Sequence, residues 1–147
     1  MFSGLSGSEL AIFIASLIIS MTAHEAMHGF TAHWLGDTTA KDAGRLTLNP
    51  LKHIDLYTTV ILPVFMVLVG IPPLIIARPV PFNPSRVKFG EYGAALVGVA
   101  GPLTNLLLAV VLSMFLRIFD NSLSLMLIKY LEIFIEVNVL FLSLIHI

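Results

Sequence analysis

From Leu10 to Ala23 the chain carries no charge, and the same holds from Tyr57 to Ala77 and from Tyr92 to Leu116. A hydrocarbon layer of about 30 Å needs around 20 consecutive apolar residues in helical form, so these runs predict membrane spans. Four segments are expected within one domain over residues 1–141. The first runs from Ser8 to Leu35 and ends near Trp34, an aromatic suited to the membrane interface. The second is Tyr57 to Ala77, interrupted by Pro63 and by Pro72-Pro73. The third is Gly93 to Leu116, and the fourth, Ser122 to Phe141, is weaker because Lys129, Glu132 and Glu136 lie inside it. The predicted fold is all-α, a polytopic transmembrane helix bundle with re-entrant or extended loops. Gly36 to Leu56 reads as a loop through Gly36-Asp37, Gly44 and Asn49-Pro50. Arg78 to Tyr92, with Pro79, Pro81 and the Asn83-Pro84 turn signal, reads as extended.

The third span has a legible face. Ala94, Gly98, Gly101, Asn105 and Ala109 recur at helical spacing and predict a close-packed side. In the fourth segment Lys129, Glu132 and Glu136 share another face, and Lys129 is placed to pair with Glu132. Charges at that depth are expected to face a bundle interior or water.

Composition narrows the function classes. Of 147 residues 57% are hydrophobic and 12% charged, with mean hydropathy +0.95, against about a quarter charged in soluble domains. The expected setting is a multi-pass protein of the cell membrane, in contact with the lipid bilayer. A net charge of −1 supplies no basic patch, so nucleic acid is not an expected partner. With no cysteine, no thiolate is available to a metal and no disulfide braces the fold. The first ten residues hold Glu9 and no Lys or Arg, unlike a cleavable signal peptide, so a retained helix is expected. Lys and Arg fall on both sides of the spans and leave the orientation open.

The chemistry concentrates at His24, Glu25 and His28. Residues four apart on a helix differ by about 40° in azimuth, so both imidazoles project toward one point. That geometry supplies two ligands of a tetrahedral zinc. Glu25 points about 80° from their mean direction, within reach of a water on the metal rather than of the metal itself. Zinc brings the pKa of such a water to about 7, and a carboxylate then takes its proton. The motif lies roughly 24 Å along the first span, where two imidazoles and a carboxylate are costly without a metal and a water-filled cavity. An interhelical polar knot or a proton path is the plainer alternative. His33 lies about 180° round the helix from His24 and cannot share its metal.

Four motifs in order resemble the site-2 protease family, in particular its short prokaryotic branch without a PDZ domain. They are His24 to Gly29, then Gly44 to Asp55, then Pro79 to Pro84, and then Gly101-Pro102-Leu103-Thr104-Asn105. The resemblance implies that His24 and His28 ligate zinc and that Glu25 is the general base. It implies an intramembrane zinc metalloendopeptidase, bacterial by its short architecture, whose substrate is a transmembrane helix of another membrane protein. Asn105 enters as possible support of the site, although holding helices together is its plainer role, and Gly29 is expected to permit close packing. The family completes its site with an Asp in a later Leu-Asp-Gly-type motif, expected beyond the end of this chain. Residues 142–147 are expected to be non-native, so His146 is not a candidate ligand. Alone, the chain is expected to bind zinc poorly and to cleave nothing. Asp55 and His53 match the family outside its metal site, and Glu132 and Glu136 read as a charge stripe. A membrane transporter using His24, Glu25 and His28 as a relay, and a catalytically dead homologue that binds membrane proteins, are the alternative functions. Substrate identity and oligomeric state are not legible.

Overall fold

A computed structural model describes residues 6–70 and 78–144. Among these the chain is helical, without strands, as the apolar runs predict. The helices are α1 (Gly7–Trp34), α2 (Thr39–Asp42), α3 (Leu62–Leu68), α4 (Gly90–Phe119) and α5 (Leu125–Leu144). Among the described residues two of them, α1 and α4, are long and apolar enough to cross a membrane; the expected count of four is not confirmed, and residues 71–77 of the second expected span lie outside the described residues. The second segment opens as a wide π-type turn over Leu56–Ile61, continues as α3, and leaves helical geometry before Gly70. Pro72-Pro73 and His146 lie outside the described residues. The last segment forms a helix of 20 residues, but Lys129, Glu132 and Glu136 interrupt its apolar character.

The chain divides into two compact units, one of residues 21–101 and one of residues 1–20 with 102–147. In the first, the C-terminal part of α1 ends on a left-handed Gly36 (φ +106°). Its amide donates to the His33 carbonyl, and the Asp37 amide donates to the Ala32 carbonyl at 2.9 Å. This is a Schellman ending, and it needs a residue without Cβ at the positive φ. Both Asn-Pro dipeptides build the same small device. Asn49 and Asn83 each accept the amide two residues on, at 3.0 Å, while Pro50 and Pro84 open a short 3-10 turn. Ala32, Val87 and Val97 form the buried apolar cluster of this unit, with Leu35 against it.

In the other unit, Ser6 and Glu9 make a capping box at the start of α1, each accepting from the other's amide. Lys129 forms its ion pair with Glu9. The pairing expected within α5, to Glu132, gives way to this one because Glu9 is already fixed by the cap; Glu132 and Glu136 are exposed. An apolar pocket of about 390 Å³ is lined by Ile12, Ile19, Leu112, Leu131 and Phe134 among others. Ser113 and Asn138 return their polar atoms to carbonyls four residues back, at 2.7 and 2.8 Å. These bonds stay within one helix, and the buried Asn138 Oδ1 is left without a hydrogen-bond partner among the described residues.

Along α4 the buried positions are Gly93, Val97, Ala100, Gly101, Pro102, Asn105 and Ala109. Gly98 is exposed and has open space around it, which corrects its expected place on the packed face. The buried file runs at intervals of four from Gly93, and Gly98 falls one position off it. The helix continues through Pro102, as membrane helices commonly do when neighbouring groups take up the freed carbonyl.

Candidate metal centre

Ala26 is fully buried, His24 is buried, and Glu25 and His28 are half-buried. A single turn of α1 thus presents a dry side and a partly open side. One ligand-capable atom from each of His24, Glu25 and His28 falls within 4.8 Å of the others. The two rings meet edge to face with centroids 4.8 Å apart. Among the described residues no further His, Asp or Glu joins this group.

His28 Nδ1 lies 2.6 Å from the Val97 carbonyl oxygen. A carbonyl only accepts, so Nδ1 carries the hydrogen, and in the neutral ring Nε2 keeps its lone pair. This is the outer contact that metal-binding histidines ordinarily make. Val97 serves twice, since its side chain fills the apolar cluster while its carbonyl orients the ring. The Nε2 atoms of both histidines face the same residue, Gly101. A methyl built there would fall 2.5 Å from His24 Nε2 and closer still to His28 Nε2. The donor set and the absent Cβ together fit a zinc ion.

Glu25 is held from the other side. Its Oε2 accepts the Val80 amide at 3.0 Å. Val80 belongs to an extended strap, Arg78 to Asn83, which is tied down along its length. The Arg78 amide donates to the His53 carbonyl at 3.0 Å, and the Asn83 amide to Asp37 Oδ2 at 2.6 Å. Just beyond, the Lys88 amide donates to the Leu35 carbonyl at 2.8 Å. The Val80 side chain lies over Gly29, where an added Cβ would come within 2.9 Å of it. Close packing at Gly29 is thus against the strap.

Asp37 is fully buried and anchors this arrangement. Burial alone would push its carboxyl up, but hydrogen bonds from Thr39 and from the Asn83 amide outweigh it and hold the group below its ordinary value. The sequence reading missed Asp37. Its signal was the Gly36-Asp37 pair directly after the first span, where a Schellman ending fixes the direction of the next side chain.

The other candidates are elsewhere. His53 is fully buried, with Nε2 2.8 Å from the Thr47 carbonyl. Asp55 caps the turn that follows it, accepting from the Tyr57 and Thr58 amides at 3.0 and 3.1 Å. Neither is a third ligand. His33 stays outside the group, as its azimuth predicts. Asn105 is fully buried, one turn beyond Gly101 on α4 and in the other compact unit.

Two curated proteins provisionally named as zinc metalloproteases are similar to this chain. YwhC of Bacillus subtilis is 40% identical over 102 residues, which is 69% of this chain and 43% of that protein. Rip2 of Mycolicibacterium smegmatis is 35% identical over 104 residues, 69% of this chain and 38% of that protein. The chain thus spans about two fifths of the length of these relatives. No family profile and no solved structure matches it. With the histidine pair set in an apolar helix, these likenesses identify the lineage: the chain belongs to the site-2 protease family.

Proposed function

We propose that this chain forms part of the core of an intramembrane zinc metalloendopeptidase, which hydrolyses peptide bonds in or near transmembrane segments of other membrane proteins. One observation carries the reading. Two imidazole Nε2 atoms converge on one place in an apolar helix, and a carboxylate stands beside them. His24 and His28 would hold the ion. When bound, zinc supplies Lewis acidity toward the scissile carbonyl and makes a coordinated water acidic enough to lose a proton near neutral pH.

The residues of the chain do the rest. The Val97 carbonyl keeps the hydrogen of His28 on Nδ1, so that Nε2 is always the ligating atom. Glu25 accepts the proton of the attacking water and returns it to the leaving amine. The Val80 amide fixes one oxygen of Glu25, which leaves the other for that proton. The strap keeps the carboxylate pointed and shields one side of it. A substrate helix has its carbonyls bonded internally, so it must unwind locally before attack, which favours helices with weakening residues. The setting is the cell membrane.

The complete protein with Glu25→Gln tests this. Zinc content is expected to stay stoichiometric while cleavage of a membrane substrate falls about 10²- to 10⁴-fold, the usual contribution of a general base. Altered ion or solute flux without proteolysis in either form would instead support a transporter. A wild-type protein that retains zinc and cleaves nothing would mark an inert homologue.

A further inference from the structure

We infer that Gly101 reserves the space the metal occupies, so that this glycine on α4 is as necessary to zinc binding as the histidines on α1. The inference rests on the zinc reading above and adds a residue to it. A Cβ at position 101 would lie 2.5 Å from His24 Nε2 and nearer to His28 Nε2. Zinc stands about 2.0–2.1 Å from an imidazole nitrogen. A methyl carbon would crowd the two Nε2 atoms on which the ion would rest, and His24 Cδ2 as well, at 2.6 Å. Each contact is to the end of a histidine side chain, and a ring can turn aside where backbone cannot. An alanine here would push the rings off their shared point and leave the helices in place.

Two other glycines calibrate the claim. Gly98 lies one turn earlier on the same helix, exposed, with nothing within 4 Å of where its Cβ would stand. Gly29 is adjacent to His28, but its added Cβ would meet Val80, Ala40 and Leu46 at 2.9, 3.4 and 3.6 Å. Crowding at Gly29 presses the strap; crowding at Gly101 presses the ligating atoms. His28 cannot retreat without giving up its Val97 hydrogen bond.

The test uses the complete protein in detergent, with metal content and thermal unfolding read with and without added zinc. Gly101→Ala is expected to weaken zinc binding by more than about 100-fold, beyond the usual range for outer-shell partners. It should also abolish the rise in Tm that zinc gives the wild type, while the Tm of the metal-free protein falls only by what the lost Val97 hydrogen bond costs, less than the fall with zinc present. Gly98→Ala should behave as wild type in both readouts. Gly29→Ala should lower Tm with and without zinc and still bind the ion. If Gly101→Ala binds zinc as the wild type does, or lowers the metal-free Tm as much as the zinc-bound one, the assignment to Gly101 is wrong. If the wild type itself takes up no zinc, the proposed function falls first and this inference falls with it.

Discussion

The two compact units are built on opposite terms. The unit of residues 21–101 is fixed by backbone amides that donate to buried or half-buried carboxylates, namely Val80 to Glu25 and Asn83 to Asp37. Small residues bring its pieces into contact, as Gly29 does beneath Val80. The other unit relies on apolar surface, with an aliphatic and aromatic pocket, side chains bonded to their own helix, and a polar fastening at the mouth of α1. The polar tethers are directional and hold particular atoms in place. Apolar packing is not directional and tolerates exchange of one hydrocarbon shape for another. The proposed chemistry belongs to the directional unit, where displacing a carboxylate by an ångström would cost about 10²-fold in rate.

Substitutions should sharpen that contrast, and the largest effect outside catalysis belongs to Asp37. Asp37→Ala leaves the Asn83 amide and Thr39 without their acceptor and should cost about 1.5–3 kcal/mol, the range for bonds to a charged group. Unfolding in detergent would measure it, with protease sensitivity of the strap as a local readout. The pH dependence has a definite sign. A carboxyl held below its ordinary value contributes its full stability above the unfolded-chain value, about 4. That contribution is lost as the pH falls through the lower, folded value. The acid limb of wild-type stability should therefore be steeper than that of Asp37→Ala.

Val80→Pro comes next. It removes the amide that holds Glu25, while Val80→Ala keeps it and loses only side-chain contact with Gly29. The proline variant should lower kcat about tenfold, the scale of a lost orienting partner, with zinc content and KM unchanged. The alanine variant should lower Tm and spare kcat; equal kcat in the two would mean that the amide does not position Glu25. In the apolar unit Ser6→Ala should cost about 1 kcal/mol as a lost helix cap and leave zinc binding untouched. Least of all, Glu132→Gln should change neither stability nor metal content, because Lys129 is paired with Glu9.

What the sequence disclosed follows from how local each feature is. The positions of α1 and α4 were legible from uninterrupted apolar runs, and that of α5 from a run broken by Lys129, Glu132 and Glu136, since a helix in lipid closes its hydrogen bonds within itself. His24, Glu25 and His28 were legible because four residues of one helix fix their geometry. Gly101 was seen as a small residue in a stripe and as the head of the fourth motif, but not as a neighbour of the imidazoles, since that approach depends on how α4 returns past α1. The grip of Val80 on Glu25 spans 55 positions of sequence and has no local signature. Gly98 was misplaced because small size alone does not decide a face, and bulky Val97 is the buried neighbour. The ion pair of Lys129 was misread for a similar reason, with a nearby acid in sequence preferred over one fixed in space.

The strap carries one more consequence. Pro79 and Pro81 have no amide hydrogen, and those of Arg78, Val80 and Asn83 are already engaged. An unwound segment laid alongside would find almost nothing but oxygen atoms to greet it. It would have to bring its own hydrogens, so a peptide methylated at alternate nitrogens should slide off while its unmodified twin holds on.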